Sequence, residues 1–195
     1  MIGIDLGGTN FRAARVGGES HREEIGEPRD PTTIVERVAA VVERLADSGP
    51  VGVGIAAMLS DRRGTVASSP HLRWRGVPFG ELLAARLGPR YQLGVYNDVN
   101  AVIWGEAQAG AARGCRDVLG VYVGTGIGGG VIAGGQLVEG TTNCAGEIGH
   151  TKVRWDADAA PCECGRPAAP ACPRRCGCRG RSRAPSRPRN ASACG

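Results

Sequence analysis

An α/β fold is predicted for this chain by three observations. Short apolar runs alternate with segments of helical period from the N-terminus to about residue 153. Two glycine-rich turns, at residues 7–10 and 124–130, each join one apolar strand to another. An Asn-Asp pair, Asn97 and Asp98, stands where a strand gives way to a helix. The 195 residues suffice for one ordinary domain or two small ones with a sizeable core.

Taken in order, residues 1–5 are apolar and run into Gly7-Gly8-Thr9-Asn10, and residues 11–16 are strand-like, so the two pair as a hairpin. Asp30 and Pro31 then predict a helix start. An aspartate oxygen accepts from the unpaired N–H groups of a first turn, and proline suits the first helical position because no N–H is needed there. Ile34, Val38, Val41, Val42 and Leu45 recur at helical spacing, with Gly49 read as the end. Residues 51–57 form an apolar run of strand length, and 79–87 a second helix stopped at Gly88-Pro89. Residues 91–96 are another strand, and 98–112 a helix carrying Val102, Ile103 and Ala109. Residues 117–123 and 129–133 are read as strand, turn and strand around Gly124-Thr125-Gly126. No repeat of solenoid length is present.

The net charge of +5 hides a division. Residues 161–195 hold eight of the 24 basic residues and one of the 19 acidic ones, leaving 16 against 18 elsewhere. Six of the eight cysteines fall in the same stretch, with only Cys115 and Cys144 outside it, unlike the even spread of a secreted disulfide scaffold. After about residue 160 neither period survives, and Arg, Pro, Ala, Cys, Gly and Ser dominate. Such a composition buries too little apolar surface to offset chain entropy, so disorder is expected there. Lys152 is the sole lysine, as GC-rich coding DNA would give, and the stretch from about Arg166 reads as translation in a shifted frame. No run of about 18 apolar residues is present, which argues against a membrane-spanning helix. The opening residues lack the basic flank of a signal peptide, and a cytoplasmic protein is expected.

Four clusters carry chemistry. In Asp5-Leu6-Gly7-Gly8-Thr9-Asn10 the glycines let the backbone approach a phosphate, Thr9 can donate from its hydroxyl, and Asp5 can orient hydrated Mg²⁺. An ordinary glycine-rich hairpin turn is the competing reading. Gly124-Thr125-Gly126-Ile127-Gly128-Gly129-Gly130 repeats the pattern. Together they read as two walls of a nucleotide cleft, distinct from a dinucleotide fingerprint because each turn leads into a strand. Asp98 sits at a helix N-terminus, which favours its ionised form and suits a general base acting on an alcohol. Helix capping by Asn97 or Asp98 competes with that reading, and Asn100 is read as supporting the turn. Finally, Gly146-Glu147-Ile148-Gly149-His150 precedes Cys162-Glu163-Cys164-Gly165, and a histidine with Cys-x-Cys is half a zinc site.

In this order the four clusters resemble the ROK family of sugar kinases and sugar-responsive repressors, its bacterial glucokinases above all. The likeness covers roughly residues 1–165 and includes Ser69-Pro70-His71-Leu72-Arg73-Trp74. It implies an actin-like (ribonuclease H-like) ATPase fold whose two lobes close over sugar and ATP. Residues 1–114 would form the first lobe, 115–160 the start of an incomplete second, and 161–195 a partial zinc motif and tail. Carried over by residue, Asp5, Gly7, Gly8 and Thr9 match the first phosphate motif, and Gly124, Thr125, Gly126, Gly128 and Gly129 the second. Asp98 matches the catalytic base; Asn97, Glu147 and His150 match sugar ligands; His150, Cys162 and Cys164 match zinc ligands.

The resemblance thus implies phosphorylation of a hexose by ATP with Mg²⁺, first of all glucose to glucose 6-phosphate. Kinases of N-acetylmannosamine, N-acetylglucosamine or fructose share the motifs. Family regulators carry a DNA-binding domain ahead of the sugar-binding part, and because this sequence opens at the phosphate motif a regulator is the lesser expectation. Neither a membrane nor a nucleic acid is an expected partner, since the tail has no aromatic side chain for base stacking. A homodimer is common in the family. The sequence departs from the pattern where Ala169 and Ala171 replace a zinc-binding Cys and a sugar-binding Glu, leaving Cys172, in a loop three residues longer, as the alternative third cysteine ligand. His71 also replaces an Asn, and Ala57-Met58 a frequent Pro-Gly. Family kinases continue well past this length, so bare apolar surface, poor solubility and little kinase activity are expected of the chain as written.

Overall fold

The computed structural model describes residues 1–124 and 126–151. The first part of the chain forms β1 (Ile2–Leu6), β2 (Asn10–Arg15), β3 (Ser20–Glu24), α1 (Pro31–Leu45), β4 (Gly49–Ile55), β5 (Met58–Leu59), β6 (Val66–Ser69) and β7 (Trp74–Val77). There follow α2 (Phe79–Leu87), β8 (Tyr91–Asn97), α3 (Asp98–Ala109), β9 (Val118–Val123), β10 (Ile127–Ala133), β11 (Gln136–Leu137) and a single 3₁₀ turn at Ile148–His150.

A five-stranded sheet in the order β3-β2-β1-β4-β8 carries the core. β1, β2 and β3 pair antiparallel, while β4 lies parallel to β1 and β8 parallel to β4. On one face Ile2, Ile4 and Leu6 lie in register with Val51, Val53 and Ile55. These residues join one buried cluster with Ile34, Val38 and Val42 of α1 and Phe79, Leu83 and Leu87 of α2. Each such side chain withdrawn from water contributes about 1.5–3 kcal/mol. The other face carries almost no bulk: Gly3 and Asp5 lie beside Gly52 and Gly54, which lie beside Gly94 and Tyr96. α3 lies across it. A Cβ added at Gly54 would stand 3.2 Å from the Ala101 Cβ and 3.4 Å from the Asp98 Cα.

A second, three-stranded sheet in the order β11-β10-β9 packs on the far side of α3. A Cβ at Gly130 would stand 2.7 Å from Ile103 Cδ1, and one at Gly128 2.7 Å from Val99 Cγ2. The sheet repeats the antiparallel β1-β2-β3 arrangement, again with a glycine turn between its first two strands. α3 is therefore the element held in common by both sheets. Leu119, Val121 and Val123 on β9 are 68%, 55% and 75% exposed, so one face of the second sheet shows bare apolar surface. A third small sheet, β5-β6-β7, extends from the end of β4. Among the described residues no helix is long and apolar enough to cross a membrane.

The helix starts follow the local chemistry. Asp30 caps α1, its Oδ1 accepting from the Thr33 N–H at 2.9 Å, with Pro31 in the first turn. Gly88, at φ +75°, ends α2. Two ends differ from expectation. α1 stops at Leu45 and not at Gly49; the Tyr91 hydroxyl donates to the Ala46 carbonyl at 2.8 Å, and Gly49 opens β4 at φ +115°. α3 ends at Ala109 because the Glu106 carboxylate accepts the Ala111 N–H at 2.8 Å, drawing the chain out of helix. Five strands were not legible: β3, β5, β6, β7 and β11. β3 reads Ser-His-Arg-Glu-Glu, an edge strand with no apolar alternation.

Candidate active site

The site is organised by the junction of β8 and α3. Asn97 is the N-cap of α3: its Oδ1 accepts the Val99 and Asn100 N–H groups at 3.0 and 3.2 Å. Its Nδ2 donates to the Ala57 carbonyl at 3.2 Å. The capping alternative thus describes this side chain, which keeps one amide hydrogen for any further partner. Asn100, by contrast, does not support the turn with its side chain. Its Oδ1 is buried without a hydrogen-bond partner.

Asp98 is the first residue of α3, and its Oδ1 accepts the Val99 N–H at 2.9 Å. Burial pushes its carboxyl above the usual aspartate range; the Val99 N–H pulls the other way, and the neighbouring carboxylates of Asp5 and Glu147 add to the rise. The helix N-terminus favours the ionised form, as expected, but the net shift is upward. Desolvation and two like charges outweigh the helix end. The same observation brings Asp5, Asp98 and Glu147 together from β1, α3 and the loop before the 3₁₀ turn.

Asp5 is exposed on the α3 face of β1, and its Oδ2 lies 3.8 Å from Arg12 Nη1. In the turn after β1, the Gly7 N–H donates to the Asn10 carbonyl at 3.1 Å, and the Thr9 carbonyl accepts the Ile25 N–H at 2.8 Å. A side chain at Gly8 would run into the Cβ of His71. In the second turn the Gly124 N–H donates to the Gly126 carbonyl at 2.9 Å. Gly128 and Gly129 lie beyond the turn, within β10. Their lack of a side chain has a packing reason: Val99 stands over Gly128, and a Cβ at Gly129 would be 2.7 Å from the Gly146 carbonyl oxygen. Gly146 itself adopts φ +86° in that close contact, laying the 146–150 segment on β10.

Glu147 and His150 follow on this segment, with Glu147 Oε2 3.8 Å from His150 Nε2. Glu147 also lines a narrow cleft of about 20 Å³, room for about one water. Asn97, Asn100, Asp61, Glu139 and Asn143 share its walls. Arg62 Nη2 bridges to Glu139 Oε2 at 3.0 Å, joining the β5–β6 turn to the loop after β11. Asp61, Arg62, Glu139 and Asn143 were missed by sequence reasoning. Asp61-Arg62-Arg63-Gly64 does carry a turn signal, but nothing local ties it to residues beyond 138.

Among the described residues no three His, Cys, Asp or Glu side chains are grouped to hold a metal ion. Thr125, Cys162 and Cys164 lie outside the described residues, as do Ala169, Ala171 and the whole stretch from 152 onward.

Comparison with known proteins gives a consistent result. The chain is 36% identical over 170 residues to a glucokinase of Streptomyces coelicolor, covering 84% of this chain and 52% of that protein. It is 30% identical over 181 residues to a putative xylose repressor of a Caldicellulosiruptor species, covering 85% and 44%. Among solved structures, a ROK family glucokinase from Streptomyces griseus in complex with glucose and AMPPNP matches with a TM-score of 0.74 and 33% identity, over 87% of this chain and 55% of that one. The chain therefore spans about half the length of the glucokinases it matches. Its α/β architecture is the actin-like fold of the ROK sugar kinases. The ROK family profile matches residues 1–172, and the chain belongs to that family.

Proposed function

We propose that this chain carries the sugar-binding site and the catalytic base of an ATP-dependent hexose kinase, with glucose as the first substrate to test. One observation carries the reading most: the Asp98 carboxyl, raised by burial and by Asp5 and Glu147, stands at the head of α3 beside a cleft lined by Asn97 and Glu147. A base needs a proton affinity near the working pH, and those surroundings raise it.

In this reading a hexose hydroxyl donates to Asp98, and Glu147, His150 and the remaining amide hydrogen of Asn97 hold the other hydroxyls. Side chains that pair with hydroxyls discriminate strongly, because an analogue lacking one strands a buried partner. Asp98 takes the proton as the hydroxyl oxygen bonds to the γ-phosphorus and the bond to the leaving ADP oxygen breaks. Phosphoryl transfer depends mainly on positioning and charge, and the turns at Gly7, Gly8 and Thr9 and at Gly124, Thr125 and Gly126 are the proposed phosphate contacts. Asp5 fits a cation site: Mg²⁺ is commonly held by one or two carboxylates plus substrate phosphates, and this exposed carboxylate has only a 3.8 Å contact to Arg12. Bound Mg²⁺ would supply neutralisation of phosphate charge. His150, with Cys162 and Cys164, is the proposed remnant of a zinc site, checked by metal analysis of purified protein. The lobes are proposed to divide at about residue 114, in a cytoplasmic protein that dimerises at full length.

The test is a coupled assay of ADP release with glucose, N-acetylmannosamine, N-acetylglucosamine and fructose. It is run on the 195-residue chain and on a form extended to the length of the glucokinases. Glucose-dependent turnover of the extended form is the expected result, and its absence for every sugar sinks the proposal. The likeness to a xylose repressor supports a second reading, sugar binding without transfer. Sugar affinity with no ADP release would favour it. Sequencing the coding DNA around codon 166 tests the shifted frame.

A further inference from the structure

Asn100 lies in the first turn of α3, only 9% exposed, and lines the same cleft as Asn97, Asn143 and Glu147. Its Oδ1 is closed to solvent and has no hydrogen-bond partner, the one buried side-chain polar atom so placed among the described residues. The helix start gives it no task, because Asn97 already accepts both N–H groups of the turn. An acceptor stranded in this way weakens the fold, and such an exception calls for an explanation. Opposite it stands Gly130, where even a Cβ would come within 3.0 Å of Oδ1. The Asn100 oxygen therefore faces the bare backbone of Gly130, with Ile103 beside it.

We infer that Asn100 is a sugar-binding residue, its carboxamide turning on binding to hydrogen-bond one hydroxyl of the hexose. A carboxamide both donates and accepts, as a hydroxyl does, and it is uncharged, so it selects a neutral polyol group over an anion. The inference rests on the hexose-kinase reading and adds to it a contact that the capping role of Asn97 leaves open.

The test is calorimetric binding of glucose and each of its monodeoxy analogues to the 195-residue chain and to Asn100→Ala. Glucose affinity should fall roughly tenfold in the variant, the order of a lost buried hydrogen bond. One analogue, lacking the hydroxyl that Asn100 reads, should bind wild type and variant alike. A merely structural residue would weaken every analogue by one common factor. That result, or no weakening at all, overturns the inference while leaving the hexose reading intact. A folded wild-type chain that binds no hexose overturns both. Near-ultraviolet circular dichroism checks the variant's fold. If Asn100→Ala does not fold, Asn100→Asp, nearly isosteric but without the amide donor, goes through the same panel, and selective loss at one hydroxyl is again the required outcome.

Discussion

Replacing Asn97 with alanine removes a helix cap and a tether between elements at once. The Oδ1 holds the Val99 and Asn100 N–H groups at 3.0 and 3.2 Å, and losing such a cap costs about 1 kcal/mol. The Nδ2 bond to the Ala57 carbonyl at 3.2 Å joins the head of α3 to the end of β4, and adds about 1 kcal/mol more. The expected loss is therefore about 2 kcal/mol, or roughly 4–8 °C in melting temperature for a chain of this size. Asn97→Ser restores a capping oxygen but not the reach to Ala57, so it should recover about half of that loss. Urea unfolding at constant m-value provides the measurement. Should Asn97→Ala unfold within ~0.5 kcal/mol of wild type, or Asn97→Ser prove no better than alanine, the side chain is not the cap described. Sugar affinity should fall with stability in Asn97→Ala, because a frayed first turn no longer holds Asp98 beside Asp5 and Glu147.

Asp98→Asn should lower hexose phosphorylation by about 10²–10⁴, the usual contribution of a positioned base, in the coupled assay of the extended form. The same variant should be more stable than wild type at pH 7: a carboxyl whose folded pKa is raised contributes stability only while protonated, so ionised Asp98 opposes folding. That advantage should shrink as pH falls through the raised pKa, which urea unfolding at several pH values would show; an advantage independent of pH refutes it. Gly129→Ala places a Cβ 2.7 Å from the Gly146 carbonyl oxygen and should cost about 1–3 kcal/mol while displacing Glu147 and His150, seen as joint loss of stability and glucose affinity. Leu119→Lys with Val123→Lys on the open face of β9 should slow aggregation measured by light scattering, with unfolding free energy changed by less than ~0.5 kcal/mol; an unchanged aggregation rate means another surface drives it.

What the amino-acid order determined unaided lies within a few residues of each signal. The β1–β2 turn, the Asp30-Pro31 start of α1, the stop of α2 at Gly88 and the strand-to-helix change at Asn97-Asp98 all depend on groups adjacent in the chain, and all were legible. β3 was not, because a polar edge strand owes its form to pairing with β2 and not to a pattern of its own. The glycines of β10 show the same limit from the other side. Their run reads as a phosphate cradle, yet for Gly128 and Gly129 the space is taken by Val99 of α3 and by Gly146. Asp98 shows it again: the helix end is visible in sequence, but the burial that outweighs it exists only in the packed fold, and the Asp5 and Glu147 carboxylates that add to it arrive from β1 and from beyond β11. Local sterics and capping are written in neighbouring residues. Burial and the meeting of like charges exist only once distant segments pack, and at this site those are the effects that set the chemistry.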